Sequence, residues 1–330
     1  MVIKTFEAFA GYGSQLMALR KLEKDYPDIK FEPVGISDID ENSIKAYNAV
    51  HGEIPNYGDI SKINWNNVPD FDLFTASFPC QDVSSSGYRK GFAKDSGTRS
   101  GLLWECEKAI KAKRPKYLLM ENVKQLYNKN NMPLFQKWLD LLENYGYTNY
   151  CKILNAKNYG IPQNRERAFC VSILNDEDKI YKFPEPIELT TCIKDYLENT
   201  IDTETLYNSK YLENLHWFDN VTKSKKSDII KLGNMFASNH SAGTIHSIYG
   251  TSSCIMLNHG TGIMVAIDNE DGTKSVKKLS GREMLRLMGV TDTDIDKMVN
   301  VCGKTATWKL AGNSIVVDVL YYIFRSMFIK

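Results

Sequence analysis

DFDLFTASFPCQDVSSSG, residues 70–87, is where the fold of this chain is decided. Residues 72–77 read as a short buried strand, and the chain then breaks at Phe78-Pro79-Cys80-Gln81. Proline fixes its own φ and holds the residue before it extended, so Cys80 stands just past a rigid turn. A strand feeding such a turn is a good mount for a nucleophile. An isolated intracellular thiol is nonetheless inert more often than catalytic. What other strands bring to the same edge decides between the two.

Toward the N-terminus, residues 2–9 alternate and end apolar, as a first strand does, and run into Phe9-Ala10-Gly11-Tyr12-Gly13-Ser14. Leu16, Leu19 and Leu22 then keep helical spacing. A Gly-x-Gly turn between strand and helix lets a ligand approach the backbone, or it is a plain tight turn. Residues 33–36 form the next strand and deliver Ser37-Asp38-Ile39-Asp40 to a helix over 41–51. An acidic residue there either accepts a ribose hydroxyl or caps the helix. The glycine turn and Asp38 together favour an adenosine-bearing ligand. Gly58-Asp59-Ile60 closes the third unit.

Beyond Cys80, residues 84–101 are polar and glycine-rich, with Ser84, Ser86, Arg89, Arg99 and Ser100 suited to phosphate contacts or to a solvated loop. A helix is expected over 102–113, and Pro115 stops it. Residues 116–120 form a buried strand that delivers Glu121-Asn122-Val123 at its end. A carboxylate is rarely placed there without a partner, which makes Glu121 a candidate acid. A helix over 133–145 and a strand near 151–155 precede Gln163-Asn164-Arg165-Glu166-Arg167. Residues at i and i+2 of a strand share a face, so Arg165 and Arg167 are expected to point the same way. They either pair with a neighbouring strand or hold Glu121 or a phosphate. Strands alternating with helices, with ligand groups at strand ends, make a doubly wound sheet. The pattern changes near Phe183-Pro184-Glu185-Pro186, and residues 185–277 read as a small mixed-β insert. Helical stretches at 279–289 and 315–327 close the chain, the second expected to be opened by Gly312-Asn313-Ser314.

Composition narrows the function classes. The 330 residues are 43% hydrophobic and 25% charged, which fits one large domain with an insert or two domains. With 41 basic and 40 acidic side chains, any nucleic-acid surface must be local. The seven cysteines (80, 106, 151, 170, 192, 254, 302) have no metal-knuckle or redox-dithiol spacing, so a reduced, metal-free set is expected. The start MVIKTFEAF lacks a signal-peptide layout, and no apolar run reaches the about 18 residues of a membrane span. A soluble cytoplasmic protein is expected.

In this order and spacing, Phe9–Ser14, Phe78–Gln81, Glu121-Asn122-Val123, Gln163-x-Arg165-x-Arg167, Arg282-Glu283 and Gly312-Asn313-Ser314 resemble the cytosine-C5 DNA methyltransferases of bacteria and phages, over residues 3–328. The resemblance implies a Rossmann-like catalytic domain of residues 1–182 plus 312–330. It adds a target-recognition domain at 185–277 and a hinge at 278–311. It implies S-adenosylmethionine as donor and S-adenosylhomocysteine as product. Phe9, Gly11 and Gly13 would line the donor pocket, Asp38 would take the ribose hydroxyls, Asp59 and Ile60 would hold the adenine, and Asn313 would close the site. Ala10, Ile39, Pro79 and Ser314 are further expected donor contacts. Cys80 would attack C6 of a cytosine, Glu121 would act at N3, and Arg165 and Arg167 would orient Glu121 and the base.

The cytosine would be flipped out of duplex DNA, with Gln81 filling the space it leaves. Ser84, Ser86, Arg89, Arg99 and Asn122 would contact DNA or base, and the insert would read the target site. A monomer in the bacterial cytoplasm or nucleoid is expected, as an orphan or beside a separately acting restriction endonuclease. A tRNA cytosine-C5 methyltransferase uses the same motifs, but the long insert before Arg282 favours DNA. A Rossmann dehydrogenase leaves Cys80 and Glu121 unexplained, and a silent DNA-binding relative would have lost them. Three positions depart from the family pattern: Ser14, Ile39 and the pair Cys254-Ile255, where the family commonly carries Gly, an aromatic and Thr-Leu.

Overall fold

A computed structural model describes residues 1–79, 99–176, 180–200, 202–207, 212, 215–221, 223–239, 241–256 and 262–329. The chain divides into two compact units. The first comprises residues 1–154, 166–185 and 319–330, and the second residues 155–165 and 186–318. Against the expected division, residues 155–165 fall in the second unit, and so do residues 278–318, the expected hinge included.

The first unit is built on strands β1 (Val2–Ala8), β2 (Lys30–Ser37), β3 (Leu73–Ala76), β4 (Tyr117–Val123), β5 (Tyr147–Asn155) and β7 (Glu166–Leu174). Their order is β2-β1-β3-β4-β7-β5. The pairs β1–β2, β1–β3 and β3–β4 are parallel and β4–β7 is antiparallel. Parallel neighbours need a crossover. Helices α1 (Ser14–Asp25), α2 (Glu41–His51) and α3 (Cys106–Lys113) lie in these connections, and α4 (Met132–Asn144) links β4 to β5. The result is a doubly wound, mostly parallel sheet. Leu16, Leu19 and Leu22 of α1 are fully buried, as their spacing predicts. Beside the sheet, Phe6 packs on Trp65 (5.2 Å between ring centroids) and on Phe71 (5.3 Å). Each such buried ring contributes roughly 2–3 kcal/mol.

In the second unit, β8 (His216–Trp217), β9 (Lys231–Asn234), β10 (Thr244–Ser247), β12 (Met264–Asp268) and β13 (Lys274–Lys278) form a sheet of order β13-β12-β10-β9-β8. Only β10–β12 is parallel, so this sheet is mixed. A separate parallel ladder joins β6 (Gln163–Asn164) to β11 (Ser252–Ser253). Helices α5 (Gly281–Arg286), α6 (Asp292–Cys302) and α7 (Lys304–Asn313) follow, and α8 (Val317–Phe328) ends the chain. Ser280 and Glu283 form a capping box that starts α5.

Several local expectations change. The helix foreseen over 102–113 begins as a 3-10 segment, Arg99–Glu105, before α3 takes over. Residues 60–62 also form a 3-10 turn. Gly312 and Asn313 end a helix rather than open one, and Ser314 is its C-cap. The helices α6 and α7 were not foreseen. Gly303, at φ 75, separates them, and such a conformation favours glycine.

Candidate active site

Between β1 and β3 the strand order reverses, and open α/β sheets bind ligands beyond the carboxyl ends of strands at such a switch point. Ala8 pairs with Ala76, and Ala76 pairs with Met120. The residues that follow these three therefore emerge side by side: Phe9–Gly13, Ser77–Pro79 and Glu121-Asn122.

After β1, Phe9 adopts φ 56, a left-handed conformation that a bulky residue rarely holds outside functional sites. Gly11 (φ 59) and Gly13 (φ 84) share it for different reasons. A side chain at Gly13 would strike His51 and Tyr47 of α2, whereas open space surrounds the position at Gly11. Ala10 donates its N–H to the Ser37 carbonyl (3.3 Å), and Gly11 donates to Asp38 Oδ2 (2.8 Å). The turn is thereby tied to the end of β2. Burial pushes the Asp38 carboxyl above its ordinary range, against the pull of the Asp40 and Gly11 N–H groups. Of the two readings of Asp38, the cap is excluded, because Asp40 caps α2 by accepting from Ser43 N–H. Ile39 is exposed, and Ile60 is buried in the core below the sheet edge. Asp59 is held below the ordinary carboxylate range by the Ser61 hydroxyl and N–H.

At the end of β4, Glu121 is buried and Arg167 Nε approaches its Oε1 at 3.3 Å. Arg167 lies opposite Val123 across the antiparallel β4–β7 pair, which sets it diagonal to Glu121 on one face. Asn122 turns the other way. Its Nδ2 donates to the Phe78 carbonyl (2.9 Å). The Ser100 hydroxyl donates to the Pro79 carbonyl (2.6 Å). The turn leading to Cys80 is thus pinned at two successive carbonyls. The Ser77 hydroxyl is buried there with no hydrogen-bond partner among the described residues. Cys80, Gln81, Ser84, Ser86 and Arg89 lie outside the described residues, and Arg99 opens the 3-10 segment.

Arg165 makes hydrogen bonds within the second unit. It is 4% exposed and donates to the carbonyls of Ile255 (2.7 Å), Ser314 (2.5 Å) and Gly312 (3.3 Å). It thereby fixes the backbone on both sides of Asn313, which is itself exposed. Cys254 Sγ lies 3.4 Å from the same guanidinium. The expectation that Arg165 and Arg167 share one face of a strand changes because Arg165 falls between β6 and β7. Its N–H bonds the Gln163 carbonyl (3.0 Å), a local turn that ends the alternation.

Two groups escaped sequence reasoning. For Ser100 the sequence leaves a phosphate contact or a solvated loop open; its spacing from Pro79 gives no hint of the bond. Glu7 is fully buried in β1, and its Oε1 accepts from the Tyr47 hydroxyl (2.8 Å). Burial pushes its carboxyl up to about 7, against the pull of Tyr47 and the Leu16 N–H. A charged residue one position before the end of the first strand was the available signal.

A family model described as C-5 cytosine-specific DNA methylase matches residues 3–329. The type II methyltransferase M2.ScrFI of Lactococcus lactis subsp. cremoris is 37% identical, over 99% of each chain. The type II methyltransferase M.HhaI of Haemophilus parahaemolyticus is 30% identical, over 97% of this chain and 93% of that one. Among solved structures, the Entamoeba histolytica methyltransferase EhMeth superposes with a TM-score of 0.74 at 18% identity, covering 99% of this chain and 98% of that one. At that identity the likeness concerns the fold alone.

Proposed function

Because the chain belongs to the C-5 cytosine-specific DNA methylase family and is a DNA cytosine-C5 methyltransferase, we propose that S-adenosylmethionine binds at the β1/β3 switch point and that Cys80 and Glu121 act on the target cytosine. The observation that supports this most is the shared register of β1, β3 and β4, which brings the glycine turn, Ser77–Pro79 and Glu121 to one edge.

Bound there, the donor would supply an electrophilic methyl group on a sulfonium. The residues fit such a ligand, which lacks phosphate: open backbone at Gly11, the Asp38 carboxylate, the Ser77 hydroxyl with no partner among the described residues and the exposed Ile39 side chain. Each carboxylate oxygen of Asp38 keeps a lone pair for a ribose hydroxyl beside the N–H it already accepts. Phe9, Ala10, Gly13, Pro79 and Asp59 complete this side, and Ile60 supports Asp59 from the core.

C5 of cytosine is a poor nucleophile. The Cys80 thiolate adds to C6, and the ring electrons move toward N3, where Glu121 holds a proton. C5 would then take the methyl group that the bound donor supplies, with S-adenosylhomocysteine as the leaving group. Loss of the C5 proton to a base expels the thiolate and restores the ring. Arg167 holds Glu121 in place. Asn122 and Ser100 position the turn through the Phe78 and Pro79 carbonyls, so Asn122 works behind the turn rather than on the base. Gln81, Ser84, Ser86, Arg89 and Arg99 are assigned to the flipped nucleotide and its strand. In the second unit, Arg165 sets Asn313 and Ser314. The insert, residues 185–277, reads the target sequence. The enzyme acts as a monomer, and a cognate endonuclease acts separately where one exists.

The test is transfer of labelled methyl from S-adenosylmethionine to unmethylated DNA and to bulk tRNA, with Cys80→Ala as control. Label at C5 of cytosine in DNA, absent with the variant, is expected. Single-turnover transfer by Cys80→Ala would overturn the covalent route. Bisulfite mapping then gives the site.

A further inference from the structure

We propose that Cys151 and Cys170 form a reversible disulfide across β5 and β7 when the protein meets a peroxide. The register carries this. Asn175 N–H donates to the Gly146 carbonyl (2.9 Å) at one end of the pair, and Ala156 N–H donates to the Arg165 carbonyl (3.1 Å) at the other. Stepping five residues inward from either bond, in antiparallel register, sets Cys151 directly opposite Cys170. The Ser172 hydroxyl, which donates to Asn149 Oδ1 (2.7 Å), repeats that register two residues away.

Directly opposite pairs alternate between hydrogen-bonded and non-hydrogen-bonded sites. An odd number of steps from a bonded pair lands on a non-bonded one, where Cα atoms stand about 4.5 Å apart and side chains are closest. That separation falls within the about 4.4–6.8 Å that disulfides span. Both thiols are free in this structure. Cys151 is exposed and Cys170 is buried. Burial and the adjacent Cys151 push the Cys170 thiol well above its ordinary range. The Tyr127 hydroxyl stands beside the pair, its own pKa raised by burial and by both cysteines.

The two environments fix the order of events. Peroxide oxidises the accessible Cys151 thiolate to a sulfenic acid, with one oxygen of the peroxide leaving as water. The Cys170 sulfur then attacks the Cys151 sulfur. The S–OH bond breaks, the S–S bond forms, and the hydroxyl leaves as water with the Cys170 proton. Two thiol equivalents reverse it. The bridge ties the outermost strand β5 to the strand that carries Arg167.

The experiment is a non-reducing peptide map of the native protein after hydrogen peroxide and alkylation. Activity is a poor readout, because peroxide would also attack Cys80. A Cys151–Cys170 cross-linked peptide is expected, absent in Cys151→Ser and lost on treatment with dithiothreitol. The exposed position of Cys151 lets that variant fold. Cys151 recovered as sulfinic acid with Cys170 alkylated as a free thiol would overturn the proposal, and so would Cys151 bridged to another cysteine.

Discussion

Within one tripeptide the chain passes from one unit to the other. Arg165 bonds inside the second, Arg167 bonds inside the first, and Glu166 stands between them. The two units use the same side chain for different ends. In the first, Arg167 meets a carboxylate across the antiparallel β4–β7 pair of a mostly parallel sheet, beside open backbone and a pinned turn. In the second, Arg165 gathers three backbone carbonyls from distant segments and serves as an internal tie. Lys277 and Glu283, 2% and 0% exposed and 2.6 Å apart, are another such tie. The first unit packs its core chiefly with apolar side chains and sets the Glu121–Arg167 pair at the sheet's edge. The second, with strands of two to five residues, uses buried charge to hold itself together.

Substitutions separate these roles. Cys80→Ala in the first unit is expected to remove methyl transfer entirely while donor binding and melting temperature stay close to wild type. Glu121→Gln comes next: kcat should fall roughly 10²–10⁴-fold, the range of a positioned acid, with the donor Kd little changed. Single-turnover kinetics with calorimetric titration of the donor would measure both. Equal loss of turnover and donor affinity would make Glu121 a structural residue and erase the contrast with Arg165.

Arg165→Ala should act on stability. It orphans the carbonyls of Ile255, Gly312 and Ser314 in a buried site, and a loss of about 3 kcal/mol or more is expected in urea unfolding. Arg167→Ala should lower kcat with a smaller change in stability, because its pair with Glu121 lies at the sheet's edge. A variant of Arg165 that melts like wild type but turns over slowly would break the distinction between the units.

That distinction was only half legible in the sequence. The first unit could be read because its devices are local. Leu16, Leu19 and Leu22 announce a helix by spacing, Pro79 announces a turn by its ring, and Glu121 follows a short apolar run, bounded by Pro115, that reads as a buried strand. The parallel register that brings them together follows from the alternation of elements. The second unit's devices are long-range: Arg165 reaches Ile255 and Ser314, and no window of sequence contains that. Its strands are too short for a period-two pattern to emerge. The i, i+2 rule misplaced Arg165 because it holds only inside a strand, and the chain turns between β6 and β7. Glu7 escaped for another reason. A parallel strand covered on both faces reads as continuous burial, so a carboxyl one residue before its end looks like an interruption rather than a buried acid.

Glu7 in the first unit and His246 in the second are both moved from their ordinary pKa by burial, with opposite signs. Glu7 in the first is raised from 4.5 to about 7 by burial. Its folded form keeps a proton that the unfolded chain has lost, so its contribution is greatest below about pH 4.5 and declines as pH rises to about 7. His246 in the second is lowered from 6.5 to about 4, again chiefly by burial, with Nδ1 bonded to the Met264 carbonyl and Nε2 to the Ser253 hydroxyl. It stays neutral where the unfolded chain gains a proton. Its contribution is complete above about pH 6.5 and is lost as pH falls toward 4. Each shift corresponds to about 3 kcal/mol over its full range. Between pH 4.5 and 6.5 the two oppose each other, and the stability they jointly give the wild type should be nearly flat. Glu7→Gln keeps an acceptor for Tyr47 and removes one arm, so stability should then fall with acid. His246→Gln should tilt the profile the other way, falling as pH rises. Urea unfolding across that window measures all three. An unchanged slope in Glu7→Gln would mean that the carboxyl is already ionised in the folded first unit, and that its burial offsets less than the geometry implies.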